Sequence, residues 1–237
     1  LDPLIILQGG PGGSTIDTYM QVVFAPGSRI RELGRDIVLF DQRGTLYAKP
    51  SLVCDEQFKL VEQTIEERLS YDEAERLSLE ANAACHARLA SEGIDLSAFN
   101  SVENAADVAS LAQALGYGRI NLYGVSYGTL LAQHVMRDFP GLLRSVILDS
   151  VVPTSVNYIT EAPRAEDRAF RELFAACAAD AGCHAAYPNL QQTYFSTIDR
   201  LNSEPARIEI TDDKTNKTYN AVIDGDTFGG VIFQLMY

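Results

Sequence analysis

Short apolar runs bounded by turn residues alternate along this chain with longer stretches whose apolar positions recur at helical spacing. Runs of the first kind read as strands at residues 4–7, 36–40, 119–123 and 145–148. Between the second and third lie an acidic helical stretch, 71–92, and a helix at 101–115. In the latter, Val102, Ala105, Ala106, Val108, Ala109, Leu111, Ala112 and Leu115 form one apolar face. Ser101, Glu103 and Asn104 suit its N-terminal region, and Gly116 suits its end. Strands alternating with helices predict a mostly parallel sheet with helices on both faces, an α/β architecture, over residues 1–153. After Pro153 the pattern changes. Residues 162–181 and 189–202 read as helices, and 207–211 and 218–223 alternate like a hairpin around the polar turn 212–217. Residues 154–237 are therefore expected to be a helical insertion carrying a β-hairpin.

Composition narrows the possible partners. With 32 Asp and Glu against 19 Lys and Arg, the net charge of -13 opposes a phosphate backbone, so nucleic acid is not an expected partner. No apolar stretch approaches the roughly 18 residues of a membrane span, and no charged-then-apolar leader opens the chain. Both ends fall inside apolar runs, 1–7 and 231–237, so the chain is expected to be truncated, and the absence of a leader says little about location. Four cysteines, Cys54, Cys85, Cys177 and Cys183, allow three pairings. Proximity favours Cys177 with Cys183, which leaves Cys54 with Cys85. Four reduced, buried cysteines are the alternative. Disulfides would imply an oxidising, extracytoplasmic setting, with the cytoplasm as the other possibility. Cys183 and His184 are adjacent, and no second Cys/His cluster stands at zinc-ligand spacing, so neither a metal nor a cofactor is expected.

The chemistry is concentrated at Gly124-Val125-Ser126-Tyr127-Gly128, which follows an apolar strand directly and opens a helix. A strand-to-helix turn this tight forces the serine into strained backbone angles, and flanking glycines remove side chains that would collide with neighbouring elements. Ser126 is thereby presented as a nucleophile at the carboxyl end of the sheet. The helix N-terminus behind it offers N–H groups to a developing oxyanion, with Tyr127 as the first donor. A second loop, Gln8-Gly9-Gly10-Pro11-Gly12-Gly13-Ser14, follows the first strand and lets backbone approach a ligand closely. It is expected to supply the other donor from Gly10, or alternatively from Gly9. The loop lacks the Gly-Lys-Ser/Thr ending of a nucleotide-phosphate site and the G-x-G-x-x-G spacing of a dinucleotide site. A third segment, Asp41-Gln42-Arg43-Gly44-Thr45, follows the second strand; its Asp41 and Arg43 could pair and fix loops near the site, with direct substrate contact as the alternative.

In this order and spacing the three segments resemble the proline iminopeptidase and tripeptidyl aminopeptidase family of α/β-hydrolases, and the resemblance covers nearly the whole chain. Family members usually open the first loop with His, where Gln8 stands here. The Asp149-Ser150-Val151-Val152-Pro153 segment and the cysteines resemble the secreted tripeptidyl branch. The resemblance implies an α/β-hydrolase fold and release of N-terminal amino acids or short peptides through an acyl-enzyme on Ser126. It implies a helical cap whose acidic residues hold the free α-amino group of the peptide. Glu161, Glu166 and Asp167 open the matching insertion here, although solvated helix charges are the competing reading for each.

A serine needs a general base and an acid to orient it, in the chain order Ser, Asp or Glu, His. Only His134 and His184 follow Ser126. His134 lies eight residues on in the same helix, about 12 Å of axial rise away. Asp149 with His184 satisfies the order, but a mobile insertion is a poor mount for a base. His86 precedes the serine in the acidic helix. The acid and histidine are therefore expected beyond Tyr237, as the resemblance also implies. An ester hydrolase on the same fold, or a catalytically incomplete binding scaffold, are the alternatives to a peptidase.

Overall fold

A computed structural model describes residues 1–236. In chain order its elements are β1 (Leu4–Leu7), α1 (Thr15–Phe24), β2 (Ile37–Leu39), α2 (Asp55–Thr64), α3 (Tyr71–Ser91), α4 (Ser101–Ala114), β3 (Ile120–Val125), α5 (Tyr127–Asp138), β4 (Leu143–Asp149), α6 (Tyr158–Ala179), α7 (Ala181–Ala186), α8 (Leu190–Ser203), β5 (Ala206–Thr211), β6 (Thr218–Ile223) and α9 (Gly225–Gln234). The chain packs as two units: Leu1–Cys54 with Cys85–Asn157, and Asp55–Ala84 with the residues from Tyr158 onward.

The first unit is built on a parallel sheet ordered β2-β1-β3-β4. Parallel strands bury both faces, which is why β1 and β3 read as nearly unbroken apolar runs. Ile5, Leu7, Ile120 and Leu122 are fully buried against Ala105, Val108 and Ala112 of α4 and Leu131, Ala132 and Val135 of α5. On the opposite face, α1 sets Tyr19 edge-on to Tyr123, with ring centroids 6.4 Å apart. Helices thus lie on both faces of the sheet, as the alternation predicts. Asn121 is a buried polar residue in β3 whose amide donates to the carbonyls of Asp2 and Pro3, while its oxygen accepts from Ser145 Oγ at 2.6 Å. A cystine joins Cys54 to Cys85, where the chain leaves this unit and where it returns.

The second unit is helical apart from the antiparallel hairpin β5-β6, whose register pairs Ala206 with Ile223 and Thr211 with Thr218. Its apolar centre is aromatic: Phe170 and Phe174 of α6 meet Tyr194 and Phe195 of α8, and Phe228 of α9 approaches Tyr194. The second cystine, Cys177–Cys183, bridges α6 and α7. Both pairings are those that sequence proximity favours.

Several boundaries depart from the periodic pattern. The N-cap of α4 is Asn100, whose extended backbone lets Oδ1 accept from the N–H groups of Val102 and Glu103, both at 3.0 Å. Ser101, expected there, instead bonds the Tyr127 hydroxyl at 2.8 Å. Helix α1 is absent from the expectation although the sequence carries its signal, for Ser14 Oγ caps it by accepting from Asp17 N–H at 3.1 Å. Residues 231–234 of the terminal apolar run form the last turn of α9, whose N-cap is Asp224. The run's last residue, Tyr237, lies outside the described residues.

Candidate active site

Ser126 stands between the end of β3 and the start of α5 with φ 54° and ψ −124°, a region an L-residue occupies only under constraint from its surroundings. The constraint is visible. Ser126 N–H donates to the Asp149 carbonyl at the end of β4 at 3.0 Å, and Ser126 C=O accepts from Thr129 N–H at 2.9 Å. The two motif glycines stand where nothing larger fits: a Cβ on Gly128 would collide with the Leu7 carbonyl, and one on Gly124 with the Gly128 carbonyl. The helix therefore begins directly against β1, with Ser126 at the carboxyl end of the sheet.

The glycine loop reaches this serine from the other side. A Cβ on Gly9 would sit 2.7 Å from Ser126 Cβ and 3.1 Å from its Oγ, so the absent side chain is what lets the backbone lie along the hydroxyl. The loop is held by polar side chains. Gln8 Oε1 accepts from Gly9 N–H at 2.8 Å, Gln8 Nε2 reaches Thr18 Oγ1, and buried Gln42 donates to the Gln8 carbonyl at 2.8 Å. Among the described residues no acceptor takes Gly10 N–H. Tyr127, as the first residue of α5, has no carbonyl one turn back within the helix to receive its own N–H.

Asp41 and Arg43 do not pair with each other, contrary to the sequence expectation. Asp41 accepts from Ser14 Oγ at 3.0 Å and from the N–H groups of Ile16 and Tyr47 at 3.2 Å, which ties the glycine loop to the segment after β2. Arg43 instead forks onto Asp107 of α4, with both bonds at 2.7 Å. A planar guanidinium matches a carboxylate presented side-on by a helix better than one already saturated by loop N–H donors. The Asp107 bond holds the Arg43 guanidinium's pKa above its ordinary value.

Beside the serine, Tyr123 donates to Asp149 Oδ2 at 2.6 Å. That bond first, and burial second, push the Tyr123 phenol well above its usual range. Neither sequence periodicity nor motif singles out this pair, because it joins adjacent parallel strands.

No side chain among the described residues hydrogen-bonds Ser126 Oγ. His134 is part-buried on α5, where desolvation, and then the Arg137 charge, hold its imidazole below the ordinary value. His86 and His184 are exposed on α3 and α7. Glu161 and Glu166 both lie on α6 in the second unit, Glu161 exposed and 3.7 Å from Arg164, Glu166 part-buried. Asp167 pairs with Arg171 on the same helix.

A parallel sheet, a strained serine at a strand-to-helix turn and a glycine loop against it define the class. The chain belongs to the alpha/beta hydrolase fold family, which it matches over residues 2–235. It is 27% identical over 238 aligned positions to serine protease Hip1 of Mycobacterium tuberculosis, an alignment that takes in 94% of this chain and 45% of that protein. It is 31% identical over 162 positions to a tripeptidyl aminopeptidase of Streptomyces lividans, covering 64% of this chain and 29% of that protein. The chain thus spans less than half the length of these relatives. Among solved structures, a proline iminopeptidase-related protein from Thermus thermophilus superposes with a TM-score of 0.37 at 23% identity, over 62% of this chain and 35% of its own. Two of the relatives that it resembles are thus named as a serine protease and an aminopeptidase. Among the described residues no helix is long and apolar enough to cross a membrane.

Proposed function

We propose that this chain is the nucleophile-bearing part of a serine aminopeptidase, which releases N-terminal amino acids or short peptides through an acyl-enzyme on Ser126. The observation that carries the reading is the juxtaposition of a strained Ser126 with a glycine backbone that would touch its Oγ if it bore a side chain. Ser126 Oγ attacks the scissile carbonyl, and the oxyanion is taken up by the N–H groups of Tyr127 and Gly10. Gln8 supports the choice of Gly10, since its Oε1 already occupies Gly9 N–H. A donor in that position is worth about 10²–10³ in rate. The base and its orienting acid come from sequence outside residues 1–237, which fits the greater length of the relatives. Residues 154–237 act as the helical cap, in which Glu161 or Glu166 holds the free α-amino group. Two cystines suit an extracytoplasmic setting.

The test uses the full-length gene product on aminoacyl and peptidyl chromogenic amides with free N-termini, the same amides N-blocked, and short-chain esters. Free-N-terminus amides should be cleaved fastest, and Ser126→Ala should lower kcat by at least about 10⁴. Hydrolysis of esters with every amide untouched would sink the peptidase reading and leave an ester hydrolase.

A further inference from the structure

The helix that follows the nucleophile carries a polar residue with no apolar reason to be inside. Thr129 is fully buried on the third residue of α5, where Ala or Val would fill the same space in a core of this composition. Its hydroxyl is saturated in a specific way: Oγ1 donates to the Ser126 carbonyl at 2.6 Å and accepts from Val152 N–H at 2.8 Å. The Thr129 N–H donates to that same Ser126 carbonyl. The carbonyl of the nucleophile is therefore gripped twice by one residue, and that residue is gripped in turn by the segment that follows β4. One turn further along α5, Gln133 closes the arrangement. Its Nε2 donates to the Thr129 carbonyl at 3.0 Å and to the Val152 carbonyl at 2.8 Å, and its Oε1 accepts from Thr154 N–H. The same segment holds the other side of the serine, for Asp149 C=O accepts from Ser126 N–H. Both polar groups of the Ser126 peptide backbone are thus referred to residues 149–154, one directly and one through Thr129.

This explains how an L-residue is kept at φ 54°. A positive-φ serine relaxes unless its surroundings over-determine it, and flanking glycines only permit the conformation. We infer that Thr129 is a positioning residue for Ser126, and that the Thr129–Gln133–Val152 hydrogen-bond clamp sets the direction in which the nucleophile's Oγ points. The hydroxyl matters rather than the side-chain volume, because only a group that both donates and accepts can join Ser126 C=O to Val152 N–H. The inference rests on Ser126 being the nucleophile, and its test separates the two.

The test measures, on the full-length protein, the second-order rate of Ser126 labelling by a fluorophosphonate and the kcat and KM on the amides above. Thr129→Val keeps the shape and loses both hydroxyl bonds, while Thr129→Ser keeps the bonds and loses a methyl. Misplacing a reacting group by about 1 Å costs on the order of 10²-fold, so T129V should fall between roughly 10- and 100-fold in labelling rate and kcat, with KM held. T129S should restore most of the rate. A folded T129V that labels at the wild-type rate overturns the clamp, as does a T129S as slow as T129V. Should T129V fail to fold, Gln133→Leu carries the test from outside the elbow. A several-fold slower labelling in Q133L supports the clamp, and an unchanged rate overturns it. A wild-type protein that takes no label on Ser126 instead defeats the nucleophile assignment itself.

Discussion

The two units of this chain solve the problem of folding with different materials. The first buries a layer of aliphatic side chains, among them Ile5, Leu7, Ile120, Leu122 and Leu131, at no measurable exposure between a parallel sheet and α4 and α5. The second has few fully enclosed residues and relies on tilted and edge-on aromatic contacts among Phe170, Phe174, Tyr194 and Phe195. The candidate chemistry falls in the first. A serine held in a strained conformation must be over-determined by its neighbours, and only a close-packed sheet-and-helix sandwich supplies that many fixed contacts.

Glycines expose the difference most sharply. Gly128 abuts the Leu7 carbonyl, and neither β1 nor α5 can retreat without opening the core, whereas a methyl group added to Gly230, on the exposed face of α9, would meet nothing within 4 Å. Gly128→Ala should therefore cost upward of about 4 kcal/mol, at the high end for overpacking. Gly230→Ala should stabilise by about 0.5–1 kcal/mol through helix propensity. Thermal unfolding by circular dichroism reads both. A Gly128→Ala protein that melts with the wild type would show that the elbow is softer than its geometry indicates.

The cystines rank next, and they sharpen the comparison through loop length rather than packing. Cys54–Cys85 closes a separation of 31 residues and Cys177–Cys183 one of 6. Loop-closure entropy gives the first about 4 kcal/mol and the second about 2 kcal/mol. Paired serine replacements followed by urea titration should preserve that order. Equal losses would mean that local contacts, not closure of the long excursion, determine what these bonds contribute.

What can be read from the sequence follows from how local the governing forces are. The nucleophile turn is legible because its glycines, serine and strand-to-helix change fall within five residues, although Gly128 itself answers to the distant Leu7 carbonyl. The strands are legible because a two-sided burial leaves an unbroken apolar run, and the Cys177–Cys183 pairing because six residues separate the partners. The Thr129 clamp is not, since its hydroxyl bonds Val152, 23 residues away, and nothing in a helix pattern distinguishes a working threonine from a spectator. Arg43 misleads for the same reason: its partner, Asp107, is 64 residues distant, and Asp41 is already occupied by N–H donors. Asn100, unlike these, is a local cap that the nearby Ser101 masks.

The smallest expected effect concerns acid. Burial beside Arg137 holds His134 below the ordinary imidazole value of 6.5, with Asp138 opposing weakly. The folded state thus prefers the neutral ring while the unfolded chain takes up a proton as pH falls through 6.5. Unfolded protein then binds more protons than folded, so stability contributed by the neutral ring is complete above that value and declines as pH drops toward the depressed folded value. Amide exchange followed from about pH 7 to about pH 5 should show α5 losing protection, and His134→Gln should flatten that slope. An equal slope in the variant would remove His134 from the account. Acid weakening of the first unit would then have to be sought among its carboxylates, beginning with Asp138, whose bond to Arg137 holds it below the usual range and whose contribution is likewise lost as pH falls.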